Sequence, residues 1–363
     1  LSAQQPVGKE GSQRGFMHPD NLNRDAAPGR LCPAQYGYAR DAFAGAPVGR
    51  ADTVYVAGGL YGNLEALDVV EAMAQRDQRD GQRVAIVFNG DFHWFDAEPG
   101  WFAAVNDRVL RWTPTLGNVE AELAAPSPAA GCGCGYPEHV GDSFVAESNR
   151  IMAQLDAAAP ADERQRLAPL PKTLAIEVGG ERIVAVHGDT ESLAGWQFAA
   201  EHLPPDDTPL RRRLGLDTST PLATLQNAFR KTGARILVSA HTCLPCACRL
   251  TAAGASRALF NNGAAGMPNF RGTCYGIATR LSAIAKPPVE SLYGFELGRL
   301  RCDAVALHYD QAAWLARFLS RWPAGSSAHI TYFERLCRGP GYDRDEALRD
   351  YREQTESAHA TPA

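Results

Sequence analysis

Four polar side chains stand just after apolar, β-branched runs. Asp91 follows RVAIVF and Asn89-Gly90, Asn118 follows Thr115-Leu116-Gly117, His187 follows RIVAV, and His241 follows RILVS and Ala240. One carboxylate, one amide oxygen and two imidazoles form a donor set suited to manganese, zinc or iron. Gly90, Gly117, Gly188 and Ala240 flank them, and small residues permit the tight turns that aim a ligand across strand ends. Each residue alone has an ordinary role: Asp or Asn after Gly commonly serves a turn, and a His closing a strand is more often a packed or surface side chain. The ordered set is what points to a site, because in open α/β folds sites gather at the carboxyl ends of strands.

The elements that must position these residues follow from patterning. Thr53–Ala57 reads as a buried strand ending at Gly58-Gly59. Asn63 is placed as the N-cap of a helix over LEALDVVEAMAQR. Arg83–Phe88 is the next strand, and a helix is expected over Trp101–Trp112. Residues 124–140, with GCGCG, read as loop; Ser143–Ala159 reads as helix; Pro160–Pro171 is rich in Pro and charge. Strands are expected at Lys172–Val178 and Arg182–Val186, joined by the hairpin signal Gly179-Gly180. Helices are expected at Trp196–His202, Pro221–Lys231 and Gln311–Arg321. Further strands are expected at Arg235–Ser239, Ala247–Thr251, Arg257–Asn261, Cys274–Ser282 and Arg301–Tyr309, with a polar tail at the end. This order, βαβα and then mostly β, predicts an α/β protein with helices outside packed sheets. The expected organisation is an irregular N-terminal extension over 1–51, a layered domain over 52–310 with an insertion at about 124–171, and a C-terminal helix and polar tail over 311–363.

Composition narrows the function. The 363 residues are 45% hydrophobic with a formal charge of −5, which gives no broad basic surface for nucleic acid. No run approaches the roughly 20 apolar residues that cross a bilayer, and the N-terminus lacks a signal-peptide core. Nine cysteines, an odd and irregular set, fit reduced thiols in a cytoplasm. Neither a G-x-G-x-x-G fingerprint, a G-x-S-x-G elbow nor a P-loop is present.

The ordered motifs resemble those of the calcineurin-like metallophosphoesterases. That family carries, in order, D-x-H, G-D, G-N-H-[DE] or a variant lacking the His, V-H-G and G-H-T-H. The counterparts here are Gly59-Leu60-Tyr61, Gly90-Asp91, Gly117-Asn118-Val119-Glu120, Val186-His187-Gly188 and Ala240-His241-Thr242-Cys243. Gly62–Leu67 is similar to the family's first helix start, and Asn261–Pro268 to its N-P-G-S-x-G-x-P turn. The resemblance spans about residues 52–310 and implies a β-sandwich flanked by helices. It also implies one or two metal ions and hydrolysis of a phosphomonoester or phosphodiester in a small phosphorylated substrate. A bound cation would neutralise the phosphoester and lower the pKa of a water towards 7.

By resemblance, Asp91, Asn118, His187 and His241 keep the family's second metal site whole. The first site departs from the pattern: Gly59 and Tyr61 replace the D-x-H pair, and Cys243 replaces the last His. Three outcomes stay open. The enzyme works with one metal; it rebuilds the first site from Cys243, His93 or Tyr61; or it has lost catalysis and remains a metal- or ligand-binding protein. Val119 stands where many members carry a proton-donating His, which brings the chain closer to the small bacterial phosphodiesterase branch. His93 and Tyr61 are the candidate proton donors, and Arg271 is the candidate phosphate clamp. Cys246 and Cys248 share one strand face and are expected to pack rather than bind zinc. GCGCG is expected to be a flexible loop over the site. The sequence leaves the oligomeric state open.

Overall fold

The structure, a computed structural model, describes residues 27–127, 129–217, 219–252 and 255–352. The N-terminal 26 residues of the expected extension and the last 11 of the expected tail lie outside the described residues.

In chain order the strands are β1 (Arg50–Ala51), β2 (Thr53–Ala57), β3 (Val84–Asn89), β4 (Thr113–Thr115), β5 (Thr173–Val178), β6 (Glu181–Val186), β7 (Ile236–Ser239), β8 (Cys246–Ala252), β9 (Ala255–Asn261), β10 (Gly276–Ser282), β11 (Ser291–Leu297), β12 (Leu300–Leu307) and β13 (Leu348–Arg352). The α-helices are α1 (Leu64–Arg79), α2 (Pro99–Val109), α3 (Asn118–Ala124), α4 (Asp142–Ala158), α5 (Ala161–Leu167), α6 (Pro209–Leu214), α7 (Leu222–Thr232), α8 (Gln311–Arg321) and α9 (Ser327–Arg338). Among the described residues the strands form two sheets, ordered β1-β5-β6-β7-β9-β8-β13 and β11-β12-β10-β2-β3-β4.

Strand periodicity sets the layers, because successive side chains point to opposite faces. In β2, Val54 and Val56 enter the core between the sheets with Val87, Ile183, Val238 and Phe260. Tyr55 and Ala57 face the other way, onto Leu67 and Val70 of α1 and onto Trp314 and Phe318 of α8. The seven-stranded sheet sends Val184, Val186 and Leu237 outward against Leu225, Ala228 and Phe229 of α7. The layers are therefore helix, sheet, sheet, helix, as the sequence pattern predicts. Asn63 caps α1 as expected, its side chain accepting from the Ala66 amide at 2.9 Å.

Parallel pairing of β3 with β4 and of β6 with β7 brings four strand ends to one edge of the sandwich. Those are the ends that carry Asp91, Asn118, His187 and His241.

Several elements differ from expectation. Trp196–His202 is a series of turns, not a helix; the buried Asp189 carboxylate gathers the amides of Glu191, Ser192 and Gln197 and winds the chain back on itself. Pro160, in an extended conformation, is the N-cap of a short helix, α5, where the sequence shows only a Pro- and charge-rich stretch. The C-terminal part is not a tail as far as residue 352. Helix α9 buries Ala328, Tyr332 and Leu336, and β13 pairs in parallel with β8. Its alternating LRDYR pattern reads as polar because an edge strand needs few apolar residues. No helix of the described residues is long and apolar enough to cross a membrane.

The C-terminal helices carry part of the core, so disrupting them should cost as much as disrupting the centre. Trp314 of α8 is fully buried, and Trp314→Ala should lower unfolding free energy by about 3–5 kcal/mol in chemical denaturation. Val289→Ala, at a residue 91% exposed, should stay within about 0.5 kcal/mol of the parent.

Candidate metal centre

The loop after β3 turns sharply at Asn89-Gly90-Asp91. Gly90 has φ +73°, and a Cβ there would meet Gly117 Cα and His187 Nδ1 at 2.5 Å. A Cβ on Gly117 would lie 2.2 Å from Asp91 Oδ1. Both glycines are thus required by the close approach of the strand ends. The Glu120 carboxylate ties the region together. It accepts from the amides of Asp91 at 2.8 Å, His93 at 3.1 Å and Gly117 at 2.9 Å. Burial, and then the Asp91 charge, push its carboxyl above the ordinary range.

Asp91, His187 and His241 place one ligand atom each within 4.8 Å of one another, and all three are buried. His187 Nε2 lies 3.3 Å from Asp91 Oδ2 and 3.2 Å from Asn118 Oδ1. His241 Nδ1 lies 3.0 Å from the same Asn118 oxygen. The hydrogen bonds behind these atoms fix their roles. His187 Nδ1 donates to the Asn89 carbonyl at 2.8 Å, and His241 Nε2 donates to the Cys134 carbonyl at 2.9 Å. Asn118 Nδ2 donates to the Cys132 carbonyl at 3.1 Å. With their hydrogens turned outward, both imidazoles, the amide oxygen and the carboxylate all present lone pairs to a common point. That arrangement favours a cation among them, and the donor set fits a metal ion.

The charges agree. Burial, and next the neighbouring His187, lower His241 to about 3, so its imidazole is neutral. Burial pushes the Asp91 carboxyl up, but His187 and His241 outweigh it and hold it below the usual range. Burial works against charge on His187, and Asp91 overcomes it and raises the imidazole.

The GCGCG segment is an ordered part of this shell and not a flexible cover. Gly131, Gly133 and Gly135 have φ of +63°, +67° and +57°, a conformation that favours glycine. The alternation turns the carbonyls of Cys132 and Cys134 onto Asn118 and His241. The two thiols are buried. Sequence reading missed this role; the signal was three glycines at alternate positions.

Tyr61 and Cys243 occupy the region of the altered first site. A Cβ on Gly59 would meet the Tyr61 ring at 2.6 Å, so the phenol fills the space that a side chain at position 59 would take. Tyr61 Oη and Cys243 Sγ are 2.8 Å apart and hydrogen-bonded. Burial, and next the other's charge, pushes the phenol well up. Burial likewise raises the Cys243 thiol. Both are neutral, and Cys243 does not join the clustered ligand atoms of Asp91, His187 and His241.

Two other sequence candidates stand apart. His93 is fully buried, with Nδ1 2.5 Å from Asp96 Oδ2 and Nε2 3.0 Å from Asn106 Oδ1. Its ring stacks on Phe102 at 3.8 Å, so it braces the core and does not line the cavity. Arg271 is exposed and paired with Asp343 at 3.0 Å, outside the cavity. Cys246 and Cys248 pack in the outer core of the larger sheet, as expected. Sequence reading missed Arg335, which lines the cavity from α9.

The cavity above the centre measures about 330 Å³ and is lined by Asp91, Asn118 and His241 at its base. Among the described residues, the non-glycine residues with positive φ are Tyr61, Asp91, His241 and Cys243, and all four line it. Such conformations cost roughly 1–3 kcal/mol each and concentrate at functional sites.

Comparison with known proteins bears on the fold. No family model and no curated protein matches the chain. Among solved structures, a hypothetical protein, PH1004, from Pyrococcus horikoshii OT3 matches with a TM-score of 0.51 and 15% identity, over 80% of this chain and 99% of that one. A metallophosphoesterase from Sphaerobacter thermophilus matches at 0.45 and 16%, over 80% and 100%. A predicted phosphoesterase from Streptococcus pneumoniae matches at 0.31 and 16%, over 72% and 92%.

Glu120 should prove indispensable to this region. Glu120→Ala leaves three buried amides without an acceptor, at about 1–3 kcal/mol each, and should lower stability by at least about 3 kcal/mol in chemical denaturation. Glu120→Gln, which keeps one acceptor oxygen, should cost less.

With two packed sheets, outer helices and Asp, Asn, His and His at strand ends along one edge, the chain has a layered α/β fold, shared over 80% of its length with the Pyrococcus horikoshii protein.

Proposed function

We propose that this protein is a metal-dependent phosphoesterase working with a single divalent cation held by Asp91, Asn118, His187 and His241. The observation that carries the reading is the convergence of four lone-pair donors whose hydrogens are committed elsewhere. A cation there would supply Lewis acidity, neutralising the phosphoester and making a water acidic enough to attack near neutral pH. The chain's own contribution is to orient and to exclude water. The carbonyls of Asn89 and Cys134 hold both imidazoles in the metal-accepting tautomer. Val119 and the aromatic walls give the cavity a largely apolar lining. The neutral Tyr61 phenol lines the same cavity, and in this reading it is the group placed to lend a proton to a leaving oxygen. Manganese, zinc and iron all suit the donor set. The substrate is a small phosphorylated molecule, and nine free thiols accord with a reducing, cytoplasmic compartment.

A second reading has its own observation. The Tyr61 ring fills the space beside Gly59, where the family's first metal ligand would stand, and a protein so altered could bind a metal and ligand without turnover.

Elemental analysis of the purified protein should find one transition metal per chain. Asp91→Ala and His241→Ala should each weaken manganese or zinc binding at least about 100-fold and abolish hydrolysis of an aryl phosphodiester. Cys246→Ala should leave metal content unchanged. Full metal occupancy with no turnover of mono- or diesters would favour the binding protein. Unimpaired activity in Asp91→Ala would refute both.

A further inference from the structure

Beside the centre, the cavity offers one free charge and a wall of rings. Arg335 comes from α9, outside the span of the sequence resemblance. Its Nε donates to the Pro268 carbonyl at 3.2 Å and its Nη2 to the Cys243 carbonyl at 2.8 Å. Two fixed donors hold the guanidinium plane in place, so little ordering remains to be done on binding. Among the described residues Arg335 has no carboxylate partner, and no hydrogen bond engages Nη1. A half-buried, preorientated and unpaired guanidinium in the same cavity as Asp91 and His241 is suited to an anionic group carrying several acceptor oxygens.

The walls are aromatic and linked. Trp196 contacts His241 at 5.4 Å between ring centroids and Tyr136 at 5.9 Å. Tyr136 meets Phe144 edge-on at 5.8 Å, and Phe144 meets Tyr332 at 5.5 Å. Tyr332 and Arg335 are three residues apart on α9 and therefore share a face. Trp196 is further tied by its indole N–H to the Cys134 carbonyl at 3.1 Å. A chain of mutually braced rings thus runs from the metal-ligand candidate His241 round to the helix that bears Arg335. Asp91 is the carboxylate lining the cavity, and it belongs to the centre. Apart from it, the lining has no acidic group to welcome a cationic ligand.

We infer that the cavity takes a phosphoester whose organic group is a single flat, uncharged ring system, its phosphate held by Arg335 and its ring seated against Trp196, Tyr136, Phe144 and Trp94. The phosphate end rests on the phosphoesterase reading above; the ring end does not. A volume of about 330 Å³ lies at the small end of ligand pockets and fits one ring system and one phosphate rather than a polymer.

The test is titration of the full-length protein, followed by tryptophan fluorescence and calorimetry, with inorganic phosphate, methyl phosphate and phenyl phosphate. It is run with manganese and again with chelator. Phenyl phosphate should bind about tenfold or more tighter than methyl phosphate, the usual scale of one stacked ring. Arg335→Gln should weaken inorganic phosphate about tenfold or more while keeping the phenyl preference. Phe144→Ala should do the reverse. Arg335→Lys should recover part of the phosphate affinity, which separates lost charge from a disturbed fold. Equal affinity for the two esters, or unchanged phosphate affinity in a folded Arg335→Gln protein, would overturn the inference. Tight phenyl phosphate binding without hydrolysis of any ester would sink the phosphoesterase reading and leave this one standing. Equal hydrolysis of aryl and alkyl esters with equal affinity would do the opposite.

Discussion

Four acceptor atoms pointed at one another are the constraint around which this molecule is arranged. A carboxylate oxygen, an amide oxygen and two imidazole nitrogens repel when brought within a few ångströms, unless a cation or a proton sits among them. The fold nonetheless commits their hydrogens elsewhere, to the carbonyls of Asn89, Cys132 and Cys134. The repulsion is therefore built in by the backbone. Of the titratable groups among these four, His187 alone is raised, because Asp91 outweighs its burial.

That arrangement is costly and its supports are visible. Asp91 and His241 both sit at positive φ, which the chain holds because neighbouring groups over-determine the turns. Glu120 collects the amides on either side of Asp91, and Gly90 and Gly117 remove the side chains that would keep the two loops apart. The surrounding layers supply the rigidity: the inter-sheet core fixes the strand ends, and the outer helices fix the sheets.

Much of this was legible in the sequence. Period-two strands, the Asn63 cap and the strand-end order Asp, Asn, His, His led to the layered fold and to the four clustered residues. What escaped reading was whatever depends on contacts between distant segments. His93 reads as a ligand because D-F-H mimics a metal motif, yet Asp96 and Asn106 claim both its nitrogens. Arg271 looks placed to clamp a phosphate, yet Asp343, far along the chain, pairs with it. Arg335 was invisible for the opposite reason. Nothing in SAHITYFERLCR distinguishes a solvated arginine from one turned into a cavity; only the carbonyls of Pro268 and Cys243 decide that.

The same contacts resolve the puzzle of the altered first site. By resemblance, a D-x-H pair in place of Gly59 and Tyr61 would bring a carboxylate and an imidazole for a second cation; under the proposed function one cation suffices. The Tyr61 ring lies against Gly59 and bonds to Cys243, so the space is filled by groups that burial keeps neutral. Under the proposed function, the positive charge that a second metal would bring has a counterpart in Arg335, anchored to the carbonyl of that same Cys243. A guanidinium offers several directed hydrogen bonds to phosphate oxygens and cannot be lost to chelation or competition, but it cannot polarise a water. On this reading the division of labour changes: one cation does the chemistry, and a residue from the C-terminal helix, beyond the span of the family motifs, does the holding.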